Sequence, residues 1–154
     1  MPAALLTSAF LSFAGLLVTV WYGVTGAALS RHVLYGIFST LLTLLTHSML
    51  LFYLIGKGKA VREAAQEGGL PGDFARSIAE ARRPVFSLAT LAMGLTIVTA
   101  LLGASADTRI LPASVHGLVA YVAIAANIAM LRVELSALQT SARVVAEVDR
   151  LLNA

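Results

Sequence analysis

Charge is missing from four long stretches of this chain. No Asp, Glu, Lys or Arg precedes Arg31, and none occurs from His32 to Gly56, from Pro84 to Ala106 or from Ile110 to Leu131. At 1.5 Å of rise per residue, a hydrocarbon core about 30 Å thick is crossed by roughly 20 apolar residues in a helix. Every stretch exceeds that length. Hydrophobic residues make up 58% of the 154 and charged residues 12%, against a usual charged share of about 25%. A chain of this length forms one domain, and a small soluble domain has too little interior to hide so much apolar surface. The expected fold is therefore all-α: an integral membrane four-helix up-down bundle, with spans at about 4–27, 31–56, 85–105 and 113–133.

The charges that remain orient the bundle. Lys57, Lys59, Arg62, Arg76, Arg82 and Arg83 fall between the second and third spans, whereas the other two loops hold Arg31 and Arg109 alone. The positive-inside rule places the loop 57–84 in the cytoplasm, and both termini with it. Trp21 and Tyr22 then stand near the outer end of the first span, where interfacial aromatics belong. That span lacks a basic leader and its apolar stretch, Ala3 to Ala28, is longer than a signal-peptide core, so it reads as a retained membrane helix. The default location is a bacterial-type inner membrane. The net charge of +3 lies in loops and helix ends, where topology uses it, and does not indicate a nucleic-acid partner. With no cysteine in the chain, disulfides, thiolate nucleophiles and Cys-ligated clusters are excluded.

Helix extends beyond the spans. The second runs on to about Gln66, where Gly68, Gly69, Pro71 and Gly72 break it. Asp73 is the expected N-cap of a helix that starts at Phe74 and enters the third span, with a kink expected at Pro84. The fourth has no breaker from Ala113 to Leu152. On its cytoplasmic part, 134–153, Leu131, Leu138, Val145 and Leu152 repeat every seven residues, and Leu135, Ala142 and Val148 widen the stripe. An amphipathic extension of this kind packs on the other extensions, on a second copy or on another membrane subunit. No internal repeat is visible.

The second span carries the chemistry. His32, Gly36, Ser39, Thr40, Thr43, Thr46 and His47 recur at steps of three and four and share one helix face. Hydrocarbon cannot satisfy polar groups, so this face turns into the bundle, while Leu34, Leu41, Leu45 and Phe52 face lipid. His47 lies fifteen residues after His32, about 22 Å along the axis and about 60° around it. The fourth span runs in the same direction and begins with His116. Met130 follows fourteen residues later, within about 40° of the same face. Two facing pairs result: His32 with His116 toward the outside, and His47 with Met130 toward the cytoplasm.

This arrangement resembles the membrane cytochromes b, in which a four-helix bundle holds two haems stacked across the bilayer between histidines of the second and fourth helices. The likeness rests on topology and spacing. That family usually offers four histidines; this chain has three, with Met130 at the fourth place, and methionine is also an axial haem ligand. The resemblance implies haem b as cofactor. His32 and His116 would ligate an outer iron and His47 with Met130 an inner one. Arg31 and Arg109 could pair with the propionates of an outer haem, and Ser and Thr beside each His could orient the rings. Gly15, Gly23, Gly26, Gly94 and Gly103 could let flat rings or neighbouring helices approach. The implied function is electron transfer, with exchange between the haem and a quinone or a larger redox complex.

Other readings follow from the same residues. His47 could bond a quinone carbonyl near Ser48, Tyr53 and Arg132, or be a structural neutral ring that donates to Thr43 or to a neighbouring helix. Asn127 reads as interhelical glue, and Arg132 with Glu134 as the pair that ends the fourth span. No Asp or Glu falls within a span, which argues against a proton-coupled multidrug pump and a carboxylate-bridged di-iron centre. No Ser, His and Asp set converges for hydrolysis. The alternative function is a non-catalytic accessory or assembly subunit of a membrane complex.

Overall fold

The computed structural model describes residues 2–154. They form four α-helices: α1 (Pro2–Thr25), α2 (Leu29–Glu67), α3 (Phe74–Asp107) and α4 (Ala113–Leu152). No strand occurs among the described residues. All four helices are long and apolar enough to cross a membrane.

Local chemistry sets the helix ends. Gly26 (φ 62°) ends α1, and Gly69 (φ 60°) ends α2. At the second of these, the Gly69 amide donates to the Gln66 carbonyl and the Leu70 amide to the Ala65 carbonyl. This paired closure needs a left-handed residue after the helix, which costs glycine nothing. Asp73 caps α3 as expected, its Oδ1 accepting from the Arg76 amide at 3.0 Å. α3 is continuous through Pro84. It ends with the same closure as α2, the Arg109 amide donating to Ala106 and the Ile110 amide to Ser105. Here Arg109 (φ 59°) takes the left-handed place.

Around the bundle α1 packs on α2 and α4, and α3 on α2 and α4; α2 and α4 also meet across the centre. The face of α2 expected to turn inward does so: Ser39, Thr43, Thr46 and His47 are buried. Leu34, Leu41, Leu45 and Phe52 are exposed. Apolar exposure on that scale suits a lipid-facing surface.

The interior is filled unevenly. Leu5, Leu50, Leu54, Val85, Ala89, Ala92, Met130, Ala137 and Leu138 form the main core. Val61, Ile78 and Val148 form a second core in the extensions. Both lie in the half of the bundle toward the α2–α3 connection. The other half, around His32 and His116, holds a cavity instead.

The α4 extension packs inside the molecule, on a seam different from the expected stripe. Along the whole of α4 the buried residues are Ala123, Asn127, Met130, Glu134, Ala137, Leu138, Ser141 and Val148. Of the expected stripe, Leu138 and Val148 are buried, Val145 packs partly on the second core and Ala142 is exposed. The seam was hidden because three of its members, Asn127, Glu134 and Ser141, are polar.

Candidate functional site: two histidines at a cavity wall

His32 and His116 meet at one end of the bundle. Their ring centroids are 5.8 Å apart and their planes cross at 78°. Each ring is held by the helix that precedes its own. His32 Nδ1 is 2.9 Å from the carbonyl oxygen of Thr19, and His116 Nδ1 is 3.1 Å from that of Thr99. A carbonyl only accepts, so each Nδ1 carries the proton and donates it. In the neutral imidazole this tautomer has its lone pair on Nε2.

A helical carbonyl is normally shielded by the side chain one turn later. In both places that residue is glycine: Gly23 follows Thr19 by four, and Gly103 follows Thr99 by four. A Cβ on Gly23 would stand 2.9 Å from His32 Cε1, and one on Gly103 would stand 3.1 Å from His116 Cε1. The same device, a threonine carbonyl uncovered by a glycine and occupied by an imidazole from the next helix, thus occurs in α1–α2 and again in α3–α4. The threonine hydroxyls take no part in it; they bond back to the carbonyls of Gly15 and Leu95 on their own helices. The orientation expected from Ser and Thr side chains comes from main-chain oxygens. A sequence signal existed, Thr-x-x-x-Gly in the first and third spans.

Both rings line a cavity of about 460 Å³. Its walls are mostly apolar, including Leu16, Val20, Val33, Ile37, Ala120 and Ile124, with Thr40, Thr96, Tyr22 and Asp107 as polar members. Cofactor clefts commonly span about 300–1,000 Å³ with this kind of lining. Arg31 and Arg109 are not among the lining residues. Arg31 is engaged with Tyr22, donating to its hydroxyl at 3.3 Å and lying over its ring. Arg109 serves the turn after α3.

The other expected glycines have different uses. Gly15 lets α1 approach Ser39, whose Oγ would be 2.6 Å from an added Cβ, and Gly94 faces open space.

The second pair, His47 and Met130, is not brought together as a ligand set. His47 Nε2 lies 3.1 Å from Asn127 Oδ1, and Met130 is a fully buried member of the main core. The void that His47 lines with Asn127 and Glu134 is about 10 Å³, far too small for a macrocycle or a quinone ring. Ser48 contacts Met93 Sδ at 3.9 Å and Arg132 is exposed. Glu134 is also placed differently from the expectation. It forms no ion pair with Arg132 among the described residues; it turns into the bundle and is fully buried. The chain does therefore carry an inward-facing carboxyl. Compared with protein-family models, with curated proteins and with solved structures, the chain matches none.

Proposed function

We propose that this chain is an integral membrane electron-transfer protein that holds one b-type haem between His32 and His116. The observation that carries this is the pair of imidazoles, each with Nδ1 committed to a carbonyl and Nε2 left over, at the wall of a cofactor-sized cavity. His32 and His116, with ring centroids 5.8 Å apart, are the residues that would hold the group.

Bound haem would supply one-electron redox chemistry. The chain's own residues supply the rest. The Thr19 and Thr99 carbonyls hold each ring in the ligating tautomer and raise its basicity. Gly23 and Gly103 give the rings the space to reach those carbonyls. The mostly apolar walls would lie against the ring of the bound group. The partner would be a quinone or a larger membrane redox complex.

The bundle is read as up-down in an inner membrane, with the loop 57–84 and both ends of the chain cytoplasmic and the cavity toward the outer face. The basic residues from Lys57 to Arg83 support that orientation. A second haem is not part of the proposal, because side chains fill the other half of the bundle.

The test is an absorption spectrum of detergent-purified protein, oxidised and dithionite-reduced, with a pyridine haemochrome assay. The expected result is a reduced α-band and about one haem per chain by the two-ligand stoichiometry argued above, lost in His32→Ala and in His116→Ala. A protein that stays colourless after haem is supplied during expression would overturn the proposal and leave the accessory-subunit reading.

A further inference from the structure

A second polar site lies in the filled half of the bundle. Its geometry fixes the role of His47 Nε2. Asn127 Nδ2 donates to the Ala123 carbonyl at 2.8 Å and to Thr96 Oγ1 at 3.2 Å. A carbonyl accepts only, so the amide cannot be turned the other way, and Oδ1 is the atom that meets His47 Nε2. His47 must donate from Nε2, and in the neutral ring the lone pair is then on Nδ1. That atom is buried and has no partner.

Glu134 stands on the Asn127 face of α4, two turns further on, and both of its carboxyl oxygens are buried without a partner. The residue is 0% exposed and His47 is 5% exposed. Both line one void of about 10 Å³, with Ala9, Ser12, Phe13, Asn127 and Leu131. A void of roughly 10–15 Å³ takes one water. An acceptor nitrogen and an unpaired carboxyl around it are the polar partners such a water needs.

We propose that Glu134 and His47 form a proton-holding site, in which a neutral Glu134 carboxyl donates to His47 Nδ1 through one internal water. Among the described residues Glu134 forms no ion pair. From α1, Ala9, Ser12 and Phe13 line the void with it; on its own helix the neighbouring turns carry Met130, Ala137 and Leu138, members of the main core with Leu50 and Leu54 of α2 and Val85, Ala89 and Ala92 of α3. Tyr53, partly buried against that core, is a further ionisable group packed there and is neutral at ordinary pH. With one proton between them, the pair carries no net charge whichever group holds it. Removing that proton leaves a buried anion and adding another leaves a buried cation, both disfavoured in an apolar surround. The Asn127 amide, with both hydrogens donated, closes the site toward the histidine cavity.

Isotope-edited infrared spectroscopy tests this on the intact purified protein, labelled with ¹³C in the glutamate side-chain carboxyls. Glu63, Glu80 and Glu147 are paired with Lys59, Arg76 and Arg150, and Glu67 is exposed, so Glu134 is the one glutamate buried without a partner. The expected result is one label-sensitive neutral-carboxyl band at neutral pH, shifted in D2O and absent in Glu134→Gln. In His47→Phe the band moves to higher frequency as the acid loses its acceptor. A labelled wild type with carboxylate bands alone overturns the proposal, as does a neutral band that survives Glu134→Gln. If Glu134→Gln does not fold, the wild-type label decides alone. The readout does not need haem: a colourless protein that shows the band overturns the function above and leaves this site standing.

Discussion

His32 and Gly23 are in contact across α1 and α2 because Gly23 has no side chain: a Cβ there would stand 2.9 Å from the His32 ring. His116 and Gly103 repeat the relationship across α3 and α4 at 3.1 Å. These contacts place both imidazoles, and the proposed haem site depends on them as much as on the histidines.

Gly23→Ala and Gly103→Ala should each weaken haem retention at least about tenfold, or about 1.4 kcal/mol, with both histidines present. Gly94→Ala is the control. Its Cβ enters open space, and replacing glycine in a helix interior should stabilise the fold by about 0.5–1 kcal/mol. Haemochrome titration and thermal unfolding of the three variants read both effects; equal haem affinity in all three would remove the glycines from the site.

Arg109→Gly should stabilise the protein by about 1–2 kcal/mol, because a non-glycine residue in the left-handed region carries roughly that penalty. Haem content should not change, since Arg109 does not line the cavity. A drop in haem content would restore Arg109 as a propionate partner.

Asn127→Leu removes the acceptor of His47 Nε2 and leaves a buried donor unmatched, so unfolding free energy should fall by about 1–3 kcal/mol. Asn127→Asp, which keeps an acceptor, should retain the contact to His47 and lose those to Ala123 and Thr96. An Asn127→Leu variant as stable as wild type in detergent unfolding would show that the contact is not made in solution.

Val148→Asp should destabilise the extension by about 2–4 kcal/mol, because it buries a charge in the core with Val61 and Ile78. Ala142→Asp, at an exposed position, should stay within about 0.5 kcal/mol. Limited proteolysis across residues 57–84 reports the difference. Were α4 instead a docking face for a partner, the exposed position would be the sensitive one.

Much of this was legible in the chain. Charge-free stretches gave four helices, the Gly68–Gly72 breakers and the Asp73 cap were read at the residues that use them, and the inward face of α2 was read from helical spacing. The pairing of His32 with His116 followed from spacing as well, and the structure brings the two rings together. The α4 seam shares Leu138 and Val148 with the apolar stripe and otherwise departs from it, because apolarity alone is not a sign of burial here. In a bundle whose outer surface is itself apolar that sign weakens, and Asn127, Glu134 and Ser141 lie inside.

The sequence by itself determined how many helices there are, where they stop, and which face of α2 is polar, because these depend on residues close along the chain. Only the tertiary structure decided that Nδ1 of His32 and His116 is spent on Thr19 and Thr99, that His47 is bonded to Asn127 and that Glu134 faces inward. Those outcomes depend on which helices are neighbours and on their rotation to within one side chain, and no local pattern encodes a contact between residues 80 positions apart.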